Sequence, residues 1–200
     1  MTISAGNLEQ FVRLRHEFHA NPELSGQENR SASTIAGLLR NWGLEVHTDI
    51  GGNGVVGVLR RGAASRAIGL RADFDALPIQ EETGLSYSSA NQGKMHACGH
   101  DGHTAILLAA VHELVRSPFD DGLLVAIFQP AEETGQGAKA MFADELGSRF
   151  PVDAYFGLHN LPGIEEGQFA FREGRFWAAV DDVDISLTGF GGHGGAPHLA

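Results

Sequence analysis

Cysteine is almost missing from this sequence: Cys98 stands alone among 200 residues. One thiol cannot close an internal disulfide, and its isolation fits a reducing cytoplasm. Cationic side chains are scarce too, with 14 lysines and arginines against 25 aspartates and glutamates, a formal net charge of −11. Little in such a chain would neutralise phosphates, which argues against a nucleic-acid partner. Long apolar runs are lacking. The longest, Ala105 to Val111, is far too short for a membrane helix. The start has no signal-peptide pattern, because Glu9, Arg13, Arg15 and Glu17 interrupt it. Repeats and low-complexity segments are absent. What remains is ordinary globular composition, 42% hydrophobic and 20% charged, long enough for one core or one core plus the start of another.

Periodicity assigns the elements. Leu8, Phe11, Val12, Leu14 and Phe18 recur at helical spacing over residues 8–19, and Asn21-Pro22 stops that helix. A second helix is expected over 29–42, with Ile35, Leu38, Leu39 and Trp42 on one face. A third, buried helix covers 103–115 with Asp101 as its N-cap, and a fourth covers 137–146. Apolar strands are expected at 54–59, 67–72, 123–128, 154–158 and 168–171. Val183, Ile185 and Leu187 alternate with Asp182, Asp184 and Ser186 as a half-exposed strand. Helices alternating with strands give an α/β fold with a mostly parallel sheet covered on both faces. The change of pattern near Trp177 divides the chain into 1–176 and 177–200. It ends at Ala200 inside a Gly/His/Pro-rich segment that reads as unfinished, as in a fragment.

Polar clusters follow directly after several of these strands: Asp73 and Asp75, then Glu132 and Glu133, then His159. Covered α/β sheets hold their ligands beyond the carboxyl ends of their strands, so these groups are candidates for one shared site. A further cluster, Met95-His96-Ala97-Cys98-Gly99-His100-Asp101-Gly102-His103, leads into the third helix. Singly, each feature has an ordinary reading: a histidine before a helix as a cap, a lone cysteine as a small buried apolar residue, paired glutamates as a solvated end. Together, Cys98, His100, Glu133 and His159 supply thiolate, imidazole and carboxylate, the donor types that hold zinc and similar divalent ions. Gly99 and Gly102 would let the backbone fold tightly around an ion. Neighbouring glutamates point in different directions, so one can bind metal while the other acts as a base toward water and the leaving amine.

Five segments carry a resemblance to a known family. They are Gly69 to Pro78 (GLRADFDALP), Met95 to Ala105 (MHACGHDGHTA), Phe128 to Glu133 (FQPAEE), Gly157 to Asn160 (GLHN) and Gly191 to His198 (GGHGGAPH). With Asn21-Pro22-Glu23-Leu24-Ser25, they resemble the amidohydrolase branch of the aminoacylase and carboxypeptidase G metallopeptidases. That branch includes hippurate hydrolases, indole-3-acetyl-amino-acid hydrolases and N-acetyl-diaminopimelate deacetylases. The resemblance runs along essentially the whole chain. It implies a zinc-exopeptidase-like catalytic domain with a mixed, mostly parallel sheet, followed by the start of a smaller α+β lid that dimerises.

The resemblance also implies roles. Cys98, His100, Glu133 and His159 match ligands of two divalent ions, zinc or manganese, with Cys98 at the bridging position that other branches fill with aspartate. Glu132 matches the general base. His193 matches a lid histidine that steadies the oxyanion in a neighbouring subunit's site. Asp73 and Asp75 look like residues that orient the ligands from behind. The family's last ligand histidine lies well past residue 200, so a 200-residue piece is expected to be inactive alone. Thr134 departs from the family, where glycine is frequent. The implied reaction is hydrolysis of an N-acyl amino acid in the cytoplasm, by a homodimer. Rival readings are a non-catalytic metal-binding module, a pseudoenzyme fragment, a dipeptidase or diaminopimelate-pathway deacylase, and a thiol protease. The last would leave Glu132, Glu133 and His159 unexplained.

Overall fold

The computed structural model describes residues 5–63, 66–117, 121–181 and 183–199. Its helices are α1 (Ala5–Ala20), α2 (Asn29–Asn41), α3 (His100–Arg116), α4 (Gly137–Ala143) and α5 (Leu146–Arg149). Its strands are β1 (Glu45–Ile50), β2 (Gly54–Arg61), β3 (Ala67–Asp73), β4 (Gly122–Gln129) and β5 (Ala154–Gly157). They form one sheet in the order β1-β2-β4-β3-β5. β3 runs parallel to both β4 and β5, while β2 is antiparallel to β4 and β1 to β2. The expected α/β fold is therefore present, with a mixed sheet whose β4-β3-β5 part is parallel.

β4 explains why its sequence is continuously apolar. Leu124, Ala126 and Phe128 point to one face, packing with Phe11, Phe18, Ile35, Leu39, Leu108 and Val111 from α1, α2 and α3. Val125 and Ile127 point to the other, with Met141, Leu146 and Phe150 around α4 and α5. A strand covered on both faces needs no polar alternation. Burying a side chain such as Phe128 completely contributes roughly 2–3 kcal/mol.

Several expectations need correction. β1 escaped the sequence reading because Glu45, His47 and Asp49 dilute its apolar signal, and it is a mostly half-exposed edge strand. The helix expected over 137–146 breaks into α4 and α5 at Glu145, whose φ is 61°. Asp101 is not an N-cap: α3 starts at His100 behind Gly99, and no side chain caps it. Asp101 sits inside the first turn, where its carboxylate accepts from Arg15 Nε at 3.1 Å and lies 2.9 Å from His19 Nδ1. A carboxylate there also suits the positive end of the helix dipole.

The chain divides into two units, one up to Asn160 and one from Leu161 onward. In the second unit, the described residues among 168–171 and 183–187 form no strand and are exposed; Asp182 lies outside the described residues. An extended segment becomes a strand only where a neighbouring strand takes its backbone hydrogen bonds, and no such strand is described there; the Gln168 N–H turns back to the Glu165 carbonyl at 3.1 Å. Among the described residues, no helix is long and apolar enough to cross a membrane.

Candidate metal centre

The parallel strands β3, β4 and β5 deliver their carboxyl ends to one edge of the sheet. Asp73 ends β3, and Asp75 follows two residues later. Glu132 and Glu133 follow β4, and His159 follows β5. Cys98 and His100 come from the turn into α3. Gly99 between them has φ 87°, and a Cβ there would lie 2.4 Å from Asn160 Oδ1, so this turn needs glycine. Gly102 does not: its backbone is ordinary helix and the nearest atom to an added Cβ is Arg15 Nε at 3.8 Å. Gly102→Ala is expected to leave stability unchanged or raise it by about 0.5–1 kcal/mol, whereas Gly99→Ala should lower it by more than that. Urea denaturation of the two variants checks the contrast.

Among the described residues, three sets of donor atoms converge within 4.8 Å: Cys98, His100 and His159; Asp73, His100 and His103; His100, Glu132 and Glu133. Cys98 Sγ lies 3.5 Å from His159 Nε2. His100 Nε2 lies 3.6 Å from Asp73, 3.8 Å from Glu133 and 3.9 Å from Glu132 carboxylate oxygens. The structure thus gathers Asp73, Asp75, Cys98, His100, Glu132, Glu133 and His159. His193 belongs to the second unit, where its exposed ring accepts the Gly195 N–H at 3.0 Å. Thr134 is exposed, and its hydroxyl donates to the Ala131 carbonyl at 3.3 Å.

Asp75 organises this group. One carboxylate oxygen lies 3.1 Å from His100 Nδ1, which also lies 3.0 Å from the Asp75 carbonyl. The other oxygen accepts the Ser25 hydroxyl at 2.6 Å and the Glu133 backbone N–H at 3.0 Å. With Nδ1 donating backward, His100 aims Nε2 at the centre. Asp73 holds His103 Nδ1 at 2.6 Å and Arg71 at 2.7 Å. His103 was given no role from sequence. Its signal was the spacing of three residues from His100, which puts both rings on one side of α3.

Two buried atoms, His100 Nε2 and Glu133 Oε1, have no hydrogen-bond partner among the described residues. Buried polar atoms are rarely left so. Their neighbours stand too far for hydrogen bonds but near the spacing of two ligands on one tetrahedral ion, roughly 3.3–3.8 Å. The residues therefore fit a divalent cation.

The electrostatics agree. Burial opposes ionisation of Asp73, but the His103 hydrogen bond, Arg71 and His100 outweigh it and hold its carboxyl down at about 2. Burial likewise works against Asp75, and its bonds from His100, Ser25 and Glu133 N–H still bring it below the usual carboxylate range. Burial raises Glu133, and Glu132 and Asp75 raise it further against His100. The Cys98 thiol is pushed up to about 12 by burial and then by Glu133, Asp73 and Glu132. Such a thiol is no nucleophile at neutral pH, which argues against the thiol-protease reading. Beside a cation the same thiol would deprotonate.

His96 adds a pH-sensitive element. Its buried ring nitrogens have no hydrogen-bond partner among the described residues, and burial depresses its pKa to about 4. The unfolded chain protonates this ring near 6.5 and the folded chain only near 4. Its contribution is therefore complete above pH 6.5 and lost as the pH falls toward 4, by about 3 kcal/mol. Denaturation at pH 7 and pH 4 should show this loss in the wild type and not in His96→Leu.

A family model for peptidase family M20/M25/M40 matches residues 69–199. The chain belongs to that family. It is 47% identical over 191 residues to a hippurate hydrolase of Campylobacter jejuni, covering 96% of this chain and 50% of that protein. It is 39% identical over 197 residues to an N-acetyldiaminopimelate deacetylase of a Geobacillus species, covering 97% and 52%. Among solved structures, it is similar to the Bacillus subtilis YXEP protein, described as a dinuclear metal binding peptidase of the M20 family. The TM-score there is 0.75 at 34% identity, over 80% of this chain and 45% of the other. This M20/M25/M40 chain thus spans about half the length of the curated relatives it matches.

Proposed function

We propose that the protein carrying this chain is a metal-dependent amidohydrolase that cleaves the amide bond of N-acyl amino acids. The observation that carries this reading is Glu132. Its carboxylate is 41% exposed and stands beside the buried imidazole of His100, next to a second carboxylate from Glu133 that is only 19% exposed. A closed structural metal site has no use for an accessible extra carboxylate. A hydrolytic site needs one.

Cys98, His100, Glu133 and His159 would hold two divalent cations, zinc or manganese, together with a histidine from beyond residue 200. When bound, the cations supply Lewis-acid polarisation of the acyl carbonyl and acidify water. Glu132 takes the proton of the attacking water and returns it to the leaving nitrogen, so the products are a carboxylate and a free amino acid. Asp75 keeps His100 in the tautomer that presents Nε2, and Asp73 fixes His103, whose Nε2 accepts the Asn160 backbone N–H at 3.1 Å. His193 steadies the developing oxyanion, reaching a neighbouring subunit of a homodimer. The names of the relatives favour benzoyl or acetyl groups as the acyl part. The isolated 200 residues, lacking the last ligand, are expected to be inactive, and the full-length protein to work in the cytoplasm.

The test is metal content and release of free amino acid from a panel of N-acyl amino acids by full-length protein, with and without chelator. Chelator-sensitive release supports the reading and names the substrate group. Bound metal without turnover would replace it with a metal-binding module. Within the same assay, Cys98→Ala is expected to lower metal content, while Cys98→Asp, which restores an anionic oxygen donor, should largely retain it. Unchanged stoichiometry in Cys98→Ala would make the thiol merely structural.

A further inference from the structure

The segment Asn21 to Glu28 joins α1 to α2, and nothing in the proposed reaction uses it. It is nevertheless built into the sheet edge that carries the site. Leu24 bridges to Ala76, and the Ala76 N–H donates to the Glu23 carbonyl at 2.8 Å. The Glu23 carboxylate accepts the Arg30 and Ser31 N–H groups at 3.0 and 2.8 Å, tying the same segment to the start of α2. Held at both ends, the loop presents two side chains to the site from behind.

Glu28 is the first. It is fully buried, a costly place for a carboxylate unless its oxygens are bonded. Both are: one accepts the Asn53 side-chain amide at 2.9 Å, and the other accepts the backbone N–H of Ala131 at 2.8 Å. Ala131 immediately precedes Glu132 and has φ 48°, a left-handed conformation that a residue with a Cβ adopts only when held there. Ser25 is the second. Its hydroxyl donates to Asp75 at 2.6 Å, on the same oxygen that accepts the Glu133 N–H. One loop thus fixes the backbone on both sides of the Glu132–Glu133 pair, at Ala131 directly and at Glu133 through Asp75.

We infer that Ser25 and Glu28 are positioning residues for the paired glutamates: Glu28 sets where the Glu132 carboxylate stands, and Ser25 sets where Glu133 stands. This deepens the proposed function and rests on it for the role of Glu132. Neither residue touches substrate. Both act through backbone amides, so their loss should displace the carboxylates without removing them.

The test uses full-length, Mn2+-loaded protein with N-benzoylglycine as the substrate probe. Glu28→Gln keeps the shape but leaves one accepting oxygen for two donors, so it can no longer accept from both the Ala131 N–H and the Asn53 amide. It is expected to lower kcat at least about tenfold while KM stays within about threefold and Mn2+ stoichiometry is unchanged. Ser25→Ala is expected to weaken Mn2+ binding about tenfold, and Ser25→Thr, which restores the hydroxyl, to return it to within about threefold of the wild type. Wild-type kcat in Glu28→Gln, unchanged Mn2+ affinity in Ser25→Ala, or equal weakening in Ser25→Ala and Ser25→Thr would overturn the inference. If Glu28→Gln does not fold, the Ser25 pair decides. Should the wild type hydrolyse no N-acyl amino acid, the proposed function fails. The Mn2+ titrations of the Ser25 pair then decide the positioning role by themselves.

Discussion

Replacing Glu132 by glutamine in the full-length protein is expected to lower kcat by about 10²–10⁴-fold, the usual contribution of a positioned general base. Glutamine matches glutamate in size, so the Ala131 turn and its hold by Glu28 should persist. What disappears is the ability to take a proton. The neighbouring Glu133 carboxylate, less exposed and 3.8 Å from His100 Nε2, stays in place to bind metal. Metal content and kcat should therefore separate: stoichiometry measured by elemental analysis unchanged, turnover nearly gone. Near-normal kcat would sink the general-base role. Loss of both together would instead make Glu132 a metal ligand and return the choice of base to the rest of the site.

The separation matters because residue chemistry alone does not tell the two glutamates apart, and only the resemblance assigns Glu132 as base and Glu133 as ligand. Adjacent carboxylates after an apolar strand suggested a division of labour, but not how the backbone around each is held. That comes from Asp75, which fixes the Glu133 N–H, and from Glu28, which fixes Ala131 from 103 residues away in sequence. Such contacts leave no local pattern. Elements with strong periodicity, such as β4 and α3, were legible because burial on two faces or one is written into their own residues. β1 was not, since Glu45, His47 and Asp49 reflect its exposed edge and not its pairing with β2. That Cys98, His100, Glu133 and His159 lie near one another was legible from their donor chemistry and, for Glu133 and His159, from the strand ends they follow. The contacts of His103, Ser25 and Glu28 were not, because they join residues far apart in sequence that only the folded chain brings together. Asp101 is not the N-cap for a related reason: α3 starts at His100, directly after Gly99, which holds the N-cap position at φ 87° without a side-chain cap.

His100→Ala is expected to remove bound metal and also to destabilise the protein by about 3 kcal/mol or more without any metal present. His100 belongs to all three converging donor sets, so no set survives its loss. Its ring is fully buried, and it is a principal partner of two carboxylates that are themselves buried, Asp73 and Asp75. Burial alone would keep this imidazole neutral, but the Asp75 hydrogen bond and the nearby Asp73, Asp75 and Glu133 charges raise its pKa. In the variant, Asp73 still has His103 and Arg71, and Asp75 still has Ser25 and the Glu133 N–H, which limits the loss. Denaturation of both proteins in chelator separates the two contributions. A stability gap that persists in chelator measures the buried charge pairing, and the additional gap with metal measures linkage to the ion. If His100→Ala kept its full metal complement and its wild-type stability, neither the metal centre nor the buried network would be organised around this histidine.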